Sequence, residues 1–280
     1  MKEFKNLVLD EERALYAKHD AKIINCEFSG IADGESALKE CKNITVKDCV
    51  FKLRYPLWHT DTAKIIDCRM TDTCRAALWY DKNISIKNCE LHGIKALREC
   101  SEIVIDDSHI DSSEFAWRCS RLKLNNCVLT AEYPFFMSKD MDINKLDMNG
   151  KYSFQYVENS VIRNSNFDTK DAFWHCKNVT VYDSVIKGEN LAWYSENLRL
   201  VRCKIIGTQP LCYAKELVLE DCEMIDCDLA FEYSQVQADI NGEILSVKNP
   251  LSGYIKANKI HEIVIDENQD ENSDCNIILK

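Results

Sequence analysis

The sequence predicts an all-β protein, a single-stranded right-handed parallel β-helix of about twelve coils of 19–23 residues with a C-terminal strand or hairpin cap. Three observations predict it. Units ending at residues 81, 100, 119, 138, 157, 176, 195, 214 and 233 recur every 19 residues, and those ending at 18, 41 and 60 keep the pattern at intervals of 23, 19 and 21. Two columns stay apolar in unit after unit: Ile23, Val46, Ile65, Ile86 and Ile105 in one, Phe28, Phe51, Met70, Leu91 and Ile110 in the other. Apolar residues alternate with period two inside each unit, and 19 residues are too few for a strand–helix–strand crossover.

Each element of the unit has its own signal. A short Ala-Leu-Trp-Tyr segment, as at Ala77–Tyr80, ends in a small residue and a Lys-Asn or Glu-Asn turn. An Ile-x-Ile strand follows, as at Ile84-Ser85-Ile86. Asn or Asp comes next (Asn25, Asp48, Asp67, Asn88, Asp107), residues that tolerate the left-handed backbone of a tight corner. Then comes Cys-x-Phe/Leu/Ile and a polar loop. Eleven of the 15 cysteines fall in two columns of small residues, where Ser replaces them. Thiols in a straight line do not converge on a tetrahedral metal, so the columns read as packing, with no metal or cofactor expected. The regular pattern covers 1–234. Residues 235–280 read as a degenerate coil and cap of the same domain, with a hairpin signal at Asn241-Gly242 and an acidic loop at Glu267–Asp274.

Length and a 46% hydrophobic share suit a packed globular protein, and the net charge of −11 argues against nucleic acid and anionic membrane as partners. No apolar run follows the N-terminus and no stretch is long enough to span a membrane, so a cytoplasmic location is expected, where the cysteines stay reduced.

The candidate functional feature is a column that holds all five tryptophans, Trp58, Trp79, Trp117, Trp174 and Trp193, with Tyr16, Phe136 and Phe231. Lys39, Arg98, Gln155 and Cys212 interrupt it. The preceding column is apolar and the following one polar or aromatic, with Glu40, His59, Tyr80, Glu99, Arg118, His175 and Tyr194. Neighbours in a strand point to opposite sides, so if the Leu/Ala column points in, the indoles point out. The opposite parity, or a bulge near the corner, makes the stripe core, and the sequence leaves both open. Insertions at Gly30–Glu35 and Thr71–Arg75 precede this segment, and repeat proteins often bind on the face that takes insertions.

Segments such as Lys82-Asn-Ile-Ser-Ile-Lys-Asn-Cys-Glu-Leu91 and Lys177-Asn-Val-Thr-Val-Tyr-Asp-Ser-Val-Ile186 resemble the pectin-lyase-like superfamily of right-handed parallel β-helices. Within it, the chain looks like a bacterial family of unknown function, over roughly residues 4–240. The resemblance implies the fold and, by analogy with polysaccharide-degrading members, a substrate on the outer face of one sheet. It carries over no catalytic residue.

The leading expectation is a carbohydrate or glycan-derived ligand bound by Trp58, Trp79, Tyr80, Arg98, Trp117, Trp174, His175, Trp193 and Tyr194. Catalysis is left open. His59, Asp81, Glu99 and Arg118 are its candidates, with Asp81 in the small-residue corner column. Glu40 and Glu99 stand three coils apart, roughly 14 Å, beyond the about 5–9.5 Å of a glycosidase pair. The alternative is a non-catalytic scaffold or homo-oligomerising rod with an aromatic seam. A nucleic-acid mimic ranks last, because the acidic residues are scattered.

Overall fold

The computed structural model describes residues 1–30, 35–266 and 273–280, and its described residues contain strands and turns but no α-helix. The insertion at Gly30–Glu35 and the acidic loop at Glu267–Asp274 lie for the most part outside the described residues. The chain is an all-β parallel solenoid of about 14 turns, two more than the repeat count suggests. It divides into two compact units, Met1–Asp147 and Met148–Lys280.

In the first unit, the strands Lys42–Lys47, Asp61–Ile66, Lys82–Lys87 and Ser101–Asp106 pair in parallel, with Val46, Ile65, Ile86 and Ile105 in register. A second ladder runs through Phe28, Phe51, Met70, Leu91 and Ile110. Both columns are buried, and the Phe28 and Phe51 rings stack at 4.8 Å and 3°. Each such side chain contributes about 1.5–3 kcal/mol by leaving water, so stability accumulates coil by coil.

The second unit repeats this with Ile162, Val181, Leu200, Leu219 and Ala238 in register. Past 234 the coils continue: Gln235–Ile240 pairs with Ser252–Ala257 and that with Asp274–Leu279, while Glu243–Lys248 pairs with Lys259–Val264. Asn241-Gly242 therefore turns a coil corner rather than closing a hairpin. The strands on either side of it pair with other coils, which keeps every pairing parallel.

The Asn/Asp column is a turn ladder. Asn25, Asp48, Asp67, Asn88, Asp107 and Asn126 all have φ between 50° and 55°. Their side chains bond up the stack, Asn88 Nδ2 donating to Asp67 Oδ1 at 2.6 Å and Asn126 Nδ2 to Asp107 Oδ1 at 2.7 Å. The adjoining cysteines are buried, and each thiol faces the carbonyl two residues back, Cys49 that of Lys47 and Cys89 that of Lys87. Ser108 makes the same bond to Asp106, which explains why the column accepts either residue.

Among the described residues the expected Leu-Trp strand is a strand in three coils, Leu57–Trp58, Leu78–Trp79 and Leu97–Arg98, which form a three-stranded parallel sheet. In the coils that follow, the residue at the Leu position takes a left-handed backbone (Ala116, Phe135, Phe154, Phe173, Ala192, Leu211) and the segment is a turn. Alternation of left-handed residues keeps one side chain in and the next out without ladder geometry.

Candidate functional site

The apolar column before the tryptophans is fully buried, Leu57, Leu78, Leu97 and Ala116 each at 0% exposure. Trp58, Trp79, Arg98 and Trp117 are half-buried, while His59, Tyr80 and Arg118 are exposed. The tryptophan column therefore faces outward at its tryptophans, while Gln155 and Cys212 in the same column are buried. One correction falls at Phe231, expected in that column. It is fully buried, because the Tyr213 N–H bonds to the Glu232 carbonyl, putting Glu232 in the tryptophan column and Tyr233 in the next.

In the first unit the outward side chains form a stack. The Trp58 and Trp79 rings lie 5.3 Å apart at 9°, and the His59 and Tyr80 rings beside them 5.2 Å apart at 10°. Tyr55 tilts against both indoles, at 6.0 and 5.6 Å. Lys39 Nζ lies 4.1 Å from the Trp58 ring centre, and the Arg98 guanidinium sits between Trp79 at 5.8 Å and Trp117 at 5.9 Å. Ring faces are thus largely taken by neighbouring rings and cations, and ring edges, hydroxyls and charges meet solvent.

Glu99 organises the polar part. Its carboxylate accepts from Trp79 Nε1 at 3.4 Å and pairs with Arg98 at 3.5 Å and Arg118 at 3.7 Å. The Tyr80 hydroxyl bonded to it, with Trp79 and Arg98, holds the carboxyl below the usual range, and the same contact raises the Tyr80 phenol. Glu40 accepts the Tyr16 hydroxyl at 2.7 Å.

Asp81 does not join this face. It is 1% exposed, inside the corner in the small-residue column, its Oδ1 accepting the Thr60 N–H at 2.6 Å. Burial, then the neighbouring Cys100, pushes its carboxyl well above the usual range. The residue after the tyrosine returns to the interior, which removes Asp81 as a partner for Glu99 in surface chemistry.

The indoles fall into two kinds. Trp117, Trp174 and Trp193 donate their ring N–H to backbone carbonyls 16 residues on, those of Tyr133, Asn190 and Gln209. Trp58 and Trp79 do not. They lie in the true-strand coils that flank the Thr71–Arg75 insertion, where the backbone presents the ring differently. Trp79 turns to Glu99, and Trp58 Nε1 is buried with no partner among the described residues.

The second unit holds the other predicted residues. Trp174 and Trp193 stack at 5.4 Å and 4°, and beside them Tyr156, His175, Tyr194 and Tyr213 form a ladder at 4.9, 5.1 and 4.9 Å. Tyr213 donates to Glu232 at 3.3 Å, and burial with that carboxylate raises its phenol to about 12. Tyr55 and Lys39 were not among the expected ligand contacts. Recurrence of Tyr two residues before the apolar column, at Tyr55, Tyr133 and Tyr152, is the signal that points to the first.

No curated protein matches the chain. The surface adhesin PfbA of Streptococcus pneumoniae is similar at 11% identity, covering 97% of this chain and 78% of its own, with a TM-score of 0.41. The A-module of the mannuronan C-5 epimerase AlgE4 of Azotobacter vinelandii is similar at 12% identity, covering 85% and 87%, with a TM-score of 0.40. The catalytic domain of a GH87 α-1,3-glucanase is similar at 10% identity, covering 99% and 64%, with a TM-score of 0.38. Likeness this distant carries no argument. Residues 2–278 match the family described as protein of unknown function DUF3737, and the chain belongs to that family.

Proposed function

We propose that the outward face of the Leu57–Trp58, Leu78–Trp79 and Leu97–Arg98 sheet binds a saccharide-class ligand without turning it over. The observation that carries this is the Trp58–Trp79 pair, whose ring N–H groups are not pinned to backbone as the other three are. His59, Tyr80, Glu99 and Arg118 supply donors and acceptors beside it. Amphipathic ring edges among hydrogen-bonding groups suit a polyhydroxylated molecule.

The carboxyl groups support binding over hydrolysis. A glycoside-cleaving acid needs a raised pKa and a second carboxylate opposite. Glu99 is lowered and clamped, and Asp81 is inside. The free, mostly buried thiols suit the reducing cytosol, where we place the protein.

An oligosaccharide panel read by tryptophan emission tests the reading. Binding abolished by Trp58→Ala and Trp79→Ala, and kept by Trp193→Phe, is expected. No response to any saccharide, with both alanine variants folded, refutes it. A second reading has an observation of its own: Tyr156 at 42% and Tyr194 at 46% exposure make an aromatic ridge of the type enriched at protein interfaces. Analytical ultracentrifugation showing a dimer that Tyr194→Ser dissolves favours that reading.

A further inference from the structure

We infer that Asn241 is a self-modification site, its side-chain amide lost when the Gly242 backbone nitrogen closes a ring on it. The site is independent of the saccharide face. The two residues are bonded neighbours at the coil corner between Gln235–Ile240 and Glu243–Lys248, and both are exposed. Gly242 has a φ of 103°, and nothing lies within 4 Å of where a Cβ would stand, so the corner has open space for a ring. Lys280 Nζ donates to Asn241 Oδ1 at 3.0 Å and also pairs with Asp239, which anchors it there. The Gly242 N–H donates to Asn258 Oδ1 at 2.8 Å, and the Asn258 N–H bonds back to the Gly242 carbonyl at 3.0 Å.

The chemistry balances without an oxidant or reductant. The Gly242 nitrogen bonds to Asn241 Cγ, the Cγ–Nδ2 bond breaks, and ammonia leaves carrying the Gly242 N–H proton. Water then opens the cyclic imide at either carbonyl, leaving Asp or isoaspartate at 241. Negative charge gathers on Oδ1 as the ring closes, where the Lys280 ammonium already stands. The N–H of a peptide lies in its plane and the attacking lone pair lies out of it, so the bond to Asn258 orients the nitrogen without blocking attack. The other Asn-Gly pair in the sequence, Asn149-Gly150, lies inside the strand Asp142–Lys151. In a paired strand the side chain stands perpendicular to the sheet while the next nitrogen runs along the strand, and the ladder resists the rotation that would join them. Structure, more than the dipeptide, therefore sets Asn241 apart.

Peptide mapping by mass spectrometry of the full chain, held in mildly alkaline buffer and sampled over days, tests this. Conversion of amide to acid is expected at Asn241 at least tenfold faster than at Asn149, with isoaspartate among the products. Lys280→Met is expected to slow Asn241 severalfold and leave Asn149 unchanged. Lys280→Arg, which keeps a cation on Oδ1, is expected to hold the original rate. Equal rates at Asn241 and Asn149 in the folded protein, or an Asn241 that stays an amide, overturn the assignment with no variant needed. A folded Lys280→Met chain that converts as fast as the original overturns the part given to Lys280.

Discussion

Replacing Asp81 by Ser is expected to flatten the dependence of stability on pH. Asp81 sits in a column otherwise filled by Cys41, Thr60, Cys100, Cys119 and Ser138, all buried. Its Oδ2 has no hydrogen-bond partner among the described residues. Burial raises its folded-state pKa, so the folded chain holds a proton that the unfolded chain releases above about 3.9. The stability this provides is complete below that pKa and is lost as pH rises toward the folded value. One proton corresponds to a loss of up to about 1.4 kcal/mol per pH unit in that window. Ser keeps the Thr60 N–H satisfied, as the Ser138 hydroxyl does for Cys119 at 2.8 Å and that of Ser234 for Ala214 at 2.9 Å. The variant removes the carboxyl and costs only a small void. Urea unfolding of both proteins from pH 4 to pH 8 measures the difference, since every other group cancels. The gap is expected to widen in favour of the variant as pH rises. Parallel curves would refute the argument that Asp81 is buried and protonated.

The remaining predictions concern the stack. Phe51→Ala is expected to cost about 3–5 kcal/mol by calorimetry, because the ring is fully buried against Phe28. Asn88→Ala is expected to cost about 1–2 kcal/mol for its left-handed backbone, with Asn88→Gly cheaper, since Gly accepts that geometry and only the bond to Asp67 is lost. Equal cost for the two would contradict the corner ladder. Glu99→Gln is expected to weaken saccharide binding without unfolding the chain and to lower the Tyr80 phenol pKa in a spectroscopic titration, because the carboxylate raises it.

The ladders were legible in the sequence because stacking turns spacing into contact: Ile86 and Ile105, 19 apart, pair directly. The Asn/Asp corner and the thiol packing followed from single-residue chemistry. The direction of the tryptophan column did not, because alternation gives two parities and only coordinates choose between them. Nor was it legible that the Leu-Trp segment is a strand in three coils and a left-handed turn in others. Leu78 and Leu211 occupy equivalent positions with different backbones, the first in a strand and the second left-handed. Asp81 was legible in part: its place in the column of Cys41, Cys100 and Cys119 puts it in the small-residue corner, where it is buried.

Trp58 and Trp79 are the indoles proposed to meet ligand. A nitrogen–proton correlation spectrum resolves the ring N–H of all five tryptophans separately. On addition of a binding oligosaccharide the Trp58 and Trp79 signals are predicted to move, while those of Trp174 and Trp193, held by backbone carbonyls, stay in place. Shifts confined to Trp174 and Trp193, with Trp58 unchanged, would contradict it.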